Sequence, residues 1–131
     1  MLRARTPQIV PVLHELEAEV MEEVWRHDEI SVRELMEILN RRARTPRAYT
    51  TYMTIMARLH KKGVLDRRRE GKTDFYTPKL DRDEFMASRA AAEIDDLVDQ
   101  YGEVALSHFA RQVASLDPAR RRALQRLARK S

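Results

Sequence analysis

Hydroxyl-bearing and cationic side chains are concentrated in the segment 45–65, TPRAYTTYMTIMARLHKKGVL, which contains no carboxylate. On a helix, one of its faces carries Thr50, Thr51, Thr54, Arg58, Lys61 and Lys62. A solvated helix face normally mixes both signs of charge, so this face favours a polyanionic partner. Short hydroxyl side chains can approach base edges closely while cations reach phosphates. The pattern predicts a nucleic-acid recognition helix.

A second cationic cluster follows in the segment DRRREGKTDFYTP, which has the pattern of a β-hairpin. We expect strands over 64–69 and 72–77 around a two-residue loop at Glu70-Gly71. In that register Arg69 faces Lys72, Arg67 faces Asp74 and Leu65 faces Tyr76. Arg68, Arg69 and Lys72 then cluster at the tip, where they are predicted to contact phosphates.

Three helices precede the hairpin. Residues 13–26 form the first, with an apolar face that includes Trp25 and with Glu23 among the carboxylates outside it. Ile30 is expected to form a one-rung strand, and Ser31 and Glu34 a capping box that starts the second helix. The third helix begins near residue 48 and ends near Gly63. This order predicts a mainly α winged helix-turn-helix domain over residues 1–78, with a small antiparallel hairpin as its wing.

Charge is distributed unevenly along the 131 residues, although the net charge is only +4. Residues 1–40 carry −5, residues 41–79 carry +9 and residues 80–131 are neutral. A basic middle third is an electrostatic signature of nucleic-acid binding. Residues 1–11 are expected to be a frayed arm, in which Arg3 and Arg5 are alternative phosphate contacts. No membrane span or signal-peptide core is evident, so a cytoplasmic location is expected.

Residues 79–131 contain three further amphipathic helices whose apolar faces have few partners in so short a chain. They predict a helical dimerisation region, since such faces would remain wet in a monomer. The alternative is that these helices pack back onto the winged helix. The candidate dimer contacts are Phe85, Ile94, Leu97, Val98, Tyr101, Leu106, Phe109, Val113, Leu124 and Leu127.

No catalytic, metal or cofactor site is predicted. The four histidines lie far apart in sequence, and the chain has no Cys and no glycine-rich phosphate loop. An enzyme is therefore not expected. Two alternatives to DNA binding remain open: a winged helix that binds a protein partner, and a regulator that senses a small ligand in a cavity.

The sequence resembles the penicillinase repressor (BlaI/MecI-type) transcription regulators, a family that also includes copper-responsive repressors. The resemblance is carried by LEAEVMEEVW, SVRELMEIL, AYTTYMTIMARLHKKGVL and EGKTDFYTP. It implies a homodimeric repressor on an inverted-repeat operator, with bases read by the first half of the third helix. Met53 departs from the family pattern, since relatives often have a polar residue there, and its apolar side chain is suited to contact a thymine methyl. The candidate DNA contacts are Arg47, Tyr49, Thr50, Thr51, Met53, Thr54, Arg58, Arg68, Arg69 and Lys72.

The resemblance also bears on induction. Copper-responsive relatives carry a Cys-rich tail, which this chain lacks, so copper sensing by that route is excluded. Beta-lactam-responsive relatives are inactivated by cleavage, commonly between an Asn and a Phe. The matching pair here is His108-Phe109, which is either a cleavage site for a sensor protease or, at Phe109, part of the dimer core.

Overall fold

The computed structural model describes residues 10–130. Residues 1–9 and Ser131 lie outside the described part, and with them the predicted phosphate contacts Arg3 and Arg5. The elements in chain order are α1 Glu15–Val24, β1 Ile30–Ser31, α2 Val32–Arg42, α3 Tyr49–Lys61, β2 Leu65–Glu70, β3 Thr73–Pro78, α4 Arg82–Tyr101, α5 Glu103–Ala114 and α6 Pro118–Lys130.

The first three helices and the sheet enclose one apolar core. Its fully buried side chains come from every one of these elements and include Val20, Met21, Leu35, Tyr52, Met56, Leu59, Leu65 and Tyr76.

In α3 the buried residues recur at the i, i+3, i+4 and i+7 spacing of one helix face. The opposite face of α3 is therefore turned to solvent.

Local signals set the helix ends, as predicted for Ser31, Glu34 and Gly63. The Ser31 hydroxyl accepts a hydrogen bond from the Glu34 backbone N–H at 3.2 Å, and the Glu34 carboxylate accepts one from the Ser31 N–H at 2.9 Å. Asp81 and Glu84 make the same reciprocal cap at the start of α4. Gly63 follows α3 with φ +85°, a conformation that a residue with a Cβ rarely adopts.

The hairpin register differs from the predicted one by two residues. β2 pairs with β3 so that Glu70 faces Thr73, Arg69 faces Asp74 and Arg67 faces Tyr76. The loop is Gly71-Lys72, with Gly71 at φ +62°. Lys72 is not at positive φ, so the loop has the type II′ arrangement, in which glycine takes the first of the two positions. Because the slip is even, every side chain keeps its predicted face.

β1 extends this hairpin to a three-stranded antiparallel sheet in the order β1-β3-β2. Ile30 pairs with Tyr76 and Ser31 with Phe75, which confirms the short strand predicted at Ile30. The turn before α2 is thus fixed to the wing by backbone hydrogen bonds. This connection places the N-terminus of α2 beside the hairpin.

The chain divides into two compact units, one ending at Ala90 and the other beginning at Ala91. The division falls inside α4, because Phe85 in its first turn is buried in the winged-helix core and packs on Trp25 at 5.4 Å between ring centroids. Val10, at the end of the predicted frayed arm, is also buried there, and its carbonyl accepts a hydrogen bond from Arg89.

Within residues 10–130, no helix combines the length and apolar character needed to cross a membrane.

Candidate nucleic-acid interface

The outer face of α3 presents the side chains that the sequence assigned to base reading. Thr50, Met53, Thr54 and Arg58 are exposed, whereas Thr51 is half-buried. Met53 keeps 44% of its surface accessible, an unusual exposure for a methionine beside an apolar core. The face therefore combines two hydroxyls, one apolar tip and a cation, which suits contact with base edges and a phosphate.

Three hydrogen bonds to the Asn40 side chain, which were not predicted from the sequence, fix the start of α3. The Asn40 side chain, at the end of α2, donates to the Arg47 carbonyl at 2.9 Å and accepts from the Arg47 backbone N–H at 3.0 Å. The buried Tyr52 hydroxyl donates to the same Asn40 oxygen at 2.9 Å. These three bonds tie α2 to α3 across the connecting turn. They hold the Arg47 backbone in place while its side chain remains exposed, 3.9 Å from Glu19.

A groove of about 510 Å³ lies between the start of α2, the start of α3 and the wing. It brings together four of the predicted contacts, namely Tyr49, Met53, Arg69 and Lys72. It also contains Arg33, which the sequence reasoning missed, with its guanidinium carbon 5.7 Å from the centroid of the Tyr49 ring. Besides these three cations, the lining contains the rings of Tyr49 and Tyr76 and one carboxylate, that of Asp74. A groove that is open to solvent, has an excess of cations and presents aromatic rings is suited to an anionic strand.

The three predicted wing cations differ in what they contact. Arg68 turns away from the groove and forms a bidentate pair with Glu29, at 2.8 and 3.0 Å. Its guanidinium also lies 4.8 Å from the Phe75 ring centroid and 3.4 Å from the Glu70 carboxylate. By contrast, Arg69 is only loosely paired with Asp74 at 3.7 Å. Lys72 is exposed and has no carboxylate partner within residues 10–130.

Arg68 lies close enough to Glu29 to influence the ionisation of the Glu29 carboxyl group. Hydrogen bonds from the Arg68 guanidinium hold the pKa of Glu29 below its ordinary value. Arg68 is thus neutralised by carboxylates, and its charge is directed towards the turn before β1. Of the predicted tip contacts, Arg69 and Lys72 remain directed towards the groove.

Lys62, which the sequence places on the cationic face of α3, turns instead to a buried carboxylate. Its Nζ lies 2.9 and 3.0 Å from the two oxygens of Glu17, which is 1% exposed. Burial alone would raise the pKa of Glu17, but hydrogen bonds from the His14 backbone N–H and from Lys62 offset this and leave the pKa lowered. The pair joins α1 to the end of α3.

Glu23 is also buried, which corrects its predicted place outside the apolar face of the first helix. Burial would raise its pKa, yet hydrogen bonds from His27, Arg42 and Arg26 leave the pKa lowered. Arg42 lies 2.6 Å from this carboxylate, so a cation from the end of α2 is held against α1. A buried carboxylate is retained here because two guanidinium groups and the His27 ring converge on it.

The second unit leaves its apolar side chains uncovered. No residue of α5 or α6 is buried, and Leu97, Phe109 and Leu127 keep 50%, 61% and 62% of their surfaces accessible. The other predicted dimer contacts in this unit are also exposed or half-buried: Ile94, Val98, Tyr101, Leu106, Val113 and Leu124. Phe85 is the exception. Its prediction as a dimer contact is wrong, because only 3% of its surface is exposed, within the winged-helix core.

Comparison with known proteins agrees with this architecture. The penicillinase repressor of Bacillus licheniformis is 32% identical over 78 residues, covering 59% of this chain and 59% of that repressor, less than two thirds of its length. Transcriptional regulator BlaI of Mycobacterium tuberculosis is 37% identical over 120 residues, 88% of this chain and 84% of that protein. The solution structure of the DNA binding domain of the repressor BlaI matches with a TM-score of 0.51 and 31% identity, covering 59% of this chain and 92% of that one.

The family sequence pattern extends beyond the winged helix. The profile of the penicillinase repressor family matches residues 13–130, which include all three helices of the C-terminal segment. The mainly α winged-helix fold predicted from the sequence is confirmed by the BlaI domain structure. The chain belongs to the penicillinase repressor family.

Proposed function

We propose that this protein is a transcriptional repressor that binds double-stranded operator DNA through α3 and the wing. The observation that carries the proposal is the joining of two surfaces: the carboxylate-free outer face of α3 and the cationic groove between α3 and the wing. The major groove of B-DNA is wide enough to admit an α-helix such as α3. Membership of the penicillinase repressor family supports the regulatory role. Because a repressor acts at the chromosome, we propose a cytoplasmic location.

The exposed side chains are assigned to two kinds of DNA contact, base edges and phosphates. Thr50, Met53 and Thr54 lie on the outer face in the first half of α3 and are assigned to base edges, with the Met53 tip suited to a thymine methyl. Arg58 at the far end of the helix and Lys72 at the wing tip are assigned to phosphates. Phosphate contacts position the protein on the duplex, whereas base contacts select the sequence.

We further propose that the functional form is a homodimer joined through α4, α5 and α6. The support is the row of accessible apolar side chains described above, which a monomer would leave in water. A two-fold dimer presents two recognition helices to an inverted repeat, with half-sites one helical turn or a small multiple apart. Occupying a site that overlaps a promoter would exclude RNA polymerase.

Fluorescence anisotropy tests the DNA-binding proposal. Labelled duplex from upstream of this protein's own gene is titrated against a scrambled duplex, in a salt series reaching about 0.15 M where nonspecific attraction is screened. Tight binding to the first duplex, at two chains per site, is expected. Absence of binding to either duplex at low salt would refute the proposal and favour a protein-binding winged helix.

Two variants distinguish base reading from phosphate contact. Thr54→Ala should reduce the preference for operator over random DNA, since a good base contact contributes about 1–3 kcal/mol of discrimination. Lys72→Ala should weaken binding to both duplexes alike and lower the salt dependence. Equal losses on operator and random DNA for Thr54→Ala would exclude its base-reading role.

Induction by proteolysis is a separate proposal. The His108-Phe109 bond lies in the middle of α5, and both side chains are exposed. A protease needs an extended segment, so cleavage there requires local unwinding of α5. Mass spectrometry of the chain recovered from beta-lactam-treated cells is expected to show a fragment ending at His108. An intact chain accompanied by derepression would exclude this route.

A further inference from the structure

Arg33 occupies an unfavourable position for a structural cation. It is the second residue of α2, in the first helical turn, where the partial positive charge of the helix end disfavours a cation. The capping box of Ser31 and Glu34 already caps this helix end. Arg33 is exposed and is not paired with a carboxylate within residues 10–130. The stability of α2 therefore does not account for an arginine at this position.

The Tyr49 ring holds the Arg33 side chain at the groove between α2, α3 and the wing. The guanidinium carbon lies 5.7 Å from the ring centroid, in a cation–π contact that joins the starts of α2 and α3. Tyr49 is the first residue of α3 and keeps 40% of its surface accessible, so the pair lies at the surface. Both residues line the groove. The ring thus restricts a side chain that would otherwise be flexible.

Arg33 completes a set of three cations from three parts of the fold. Arg69 comes from β2 and Lys72 from the hairpin loop, and both line the groove with Arg33. The carboxylate of Asp74, also in the lining, lies 3.7 Å from Arg69, which offsets its charge. The positive end of the α2 macrodipole adds to the same potential. The groove therefore retains an excess of positive charge.

The groove also borders the face of α3 assigned to base reading, because Met53 belongs to both. A DNA strand whose bases are contacted by that face carries its phosphates along the border of the groove. A guanidinium group matches a phosphate well, since its planar fork donates two parallel hydrogen bonds.

We propose that Arg33 is a direct DNA contact from α2, which binds a phosphate of the strand beside the bases read by α3. Tyr49 is the positioning residue that holds the guanidinium ready for this contact. The inference rests on the proposed binding of operator DNA through α3 and the wing, and adds to it a phosphate contact from a third element.

The salt dependence of binding tests the contact. Arg33→Ala should weaken binding to operator and random duplexes, and the slope of log K against log salt should fall by about 0.9, the value for one phosphate. Urea denaturation should show native stability for this variant, because Arg33 is exposed at a helix end that disfavours a cation. A native slope for Arg33→Ala would overturn the inference.

Two further variants control for charge and for geometry. Lys79 is exposed but follows β3 at the base of the hairpin, outside the groove lining, so Lys79→Ala should keep the native slope. An equal fall in the slope for Lys79→Ala would overturn the inference, because the loss would then reflect total charge. Arg33→Lys should keep the slope and still bind more weakly, because an ammonium group lacks the planar fork.

Uncharged phosphate analogues locate the contact. Single phosphates of the operator are replaced in turn by methylphosphonate, and each duplex is titrated with the native chain and with Arg33→Ala. At the contacted position the replacement should weaken native binding about tenfold or more and should have little effect on the variant, whose contact is already lost. Equal losses for both proteins at every position would overturn the inference.

Substitutions of Tyr49 test its positioning role. Tyr49→Phe keeps the ring and should bind like the native chain. Tyr49→Leu should weaken binding about twofold to tenfold at an unchanged slope, because a flexible Arg33 must be immobilised on binding. Combined with Arg33→Ala, Tyr49→Leu should cause no further loss. A further loss, or a loss for Tyr49→Phe, would overturn the positioning role, since Tyr49 would then contact DNA itself.

The same titrations separate this inference from the DNA-binding proposal. If the native chain binds neither duplex at low salt, both fail. If Lys72→Ala lowers the slope while Arg33→Ala does not, the DNA-binding proposal stands and only the inference fails.

Discussion

Replacing Arg68 with alanine would show whether this cation contacts DNA or orients the wing. In the structure its Nε and Nη2 groups donate to Glu29 and its Nη1 group lies near Glu70. The guanidinium carbon lies 4.8 Å from the centroid of the Phe75 ring, in cation–π contact. A side chain so engaged links the hairpin to the turn before β1. We expect it to position the wing rather than to neutralise a phosphate.

The salt dependence of DNA binding distinguishes the two roles. Each phosphate neutralised by a cation contributes about 0.9 to the slope of log K against log salt. Arg68→Ala should therefore weaken binding by a similar factor at every salt concentration and leave the slope unchanged. Lys72→Ala is the matched control on the same hairpin. Lys72 has no carboxylate partner among residues 10–130, so its loss should lower the slope by about 0.9.

Anisotropy titrations at four or more salt concentrations provide the slopes. Glu29→Gln removes the other half of the pair and should also weaken binding. The double variant should be no worse than either single variant, because both substitutions break the same link. A slope that falls by about 0.9 for Arg68→Ala, as expected for a direct phosphate contact, would refute the positioning role.

Three further predictions address the fold that supports the interface. Phe85→Ala should lower the free energy of unfolding by about 3–5 kcal/mol in urea denaturation, because Phe85 is buried in the winged-helix core. Phe109→Ala should chiefly weaken self-association, because Phe109 is exposed. Equal losses of stability in the two variants would contradict the buried position of Phe85 and the exposed position of Phe109. Asn40→Ala should cost about 1–3 kcal/mol by leaving the Tyr52 hydroxyl unpaired, and should weaken binding to operator and random DNA together. Because the pKa of Glu17 is lowered on folding, the stability it contributes should be lost as pH falls from its ordinary pKa of 4.5 through its lower folded pKa. Glu17→Gln should flatten that part of the stability profile, measured by urea denaturation at a series of pH values.

Features encoded by neighbouring residues were predictable from the sequence. The caps at Ser31 and Asp81 and the glycine after α3 involve partners within a few positions, so the local pattern specifies them. The hairpin register also depends on neighbouring residues, but it was predicted with Gly71 at the second loop position. In the structure Gly71 takes the first loop position, at positive φ, and the register shifts accordingly. The faces of the strands were nevertheless correct, because alternation fixes them independently of an even slip.

Long-range pairings could not be read from the sequence. Glu17 and Lys62 are 45 positions apart, and Glu29 and Arg68 are 39 apart. Nothing in the local pattern of either partner distinguishes a cation bound to a carboxylate from one available to DNA. Phe85 was misassigned for a similar reason, since an apolar residue at the start of an amphipathic helix has the same pattern whether its partner is Trp25 or a second chain.

The carboxylates of the first helix and of the turn after it have a structural role. Carboxylates in and after α1 engage cations from three other elements: Glu17 pairs with Lys62 and Glu23 with Arg42, while Glu29 pairs with Arg68. Each pair removes one positive charge from the basic middle third and fixes an element of the winged helix. The charge that remains for DNA is therefore smaller than the +9 of residues 41–79 suggests, and Arg58 and Lys72 are among the cations that remain exposed. A measured salt slope that required every cation of this segment to contact phosphate would mean that these pairs open when DNA binds.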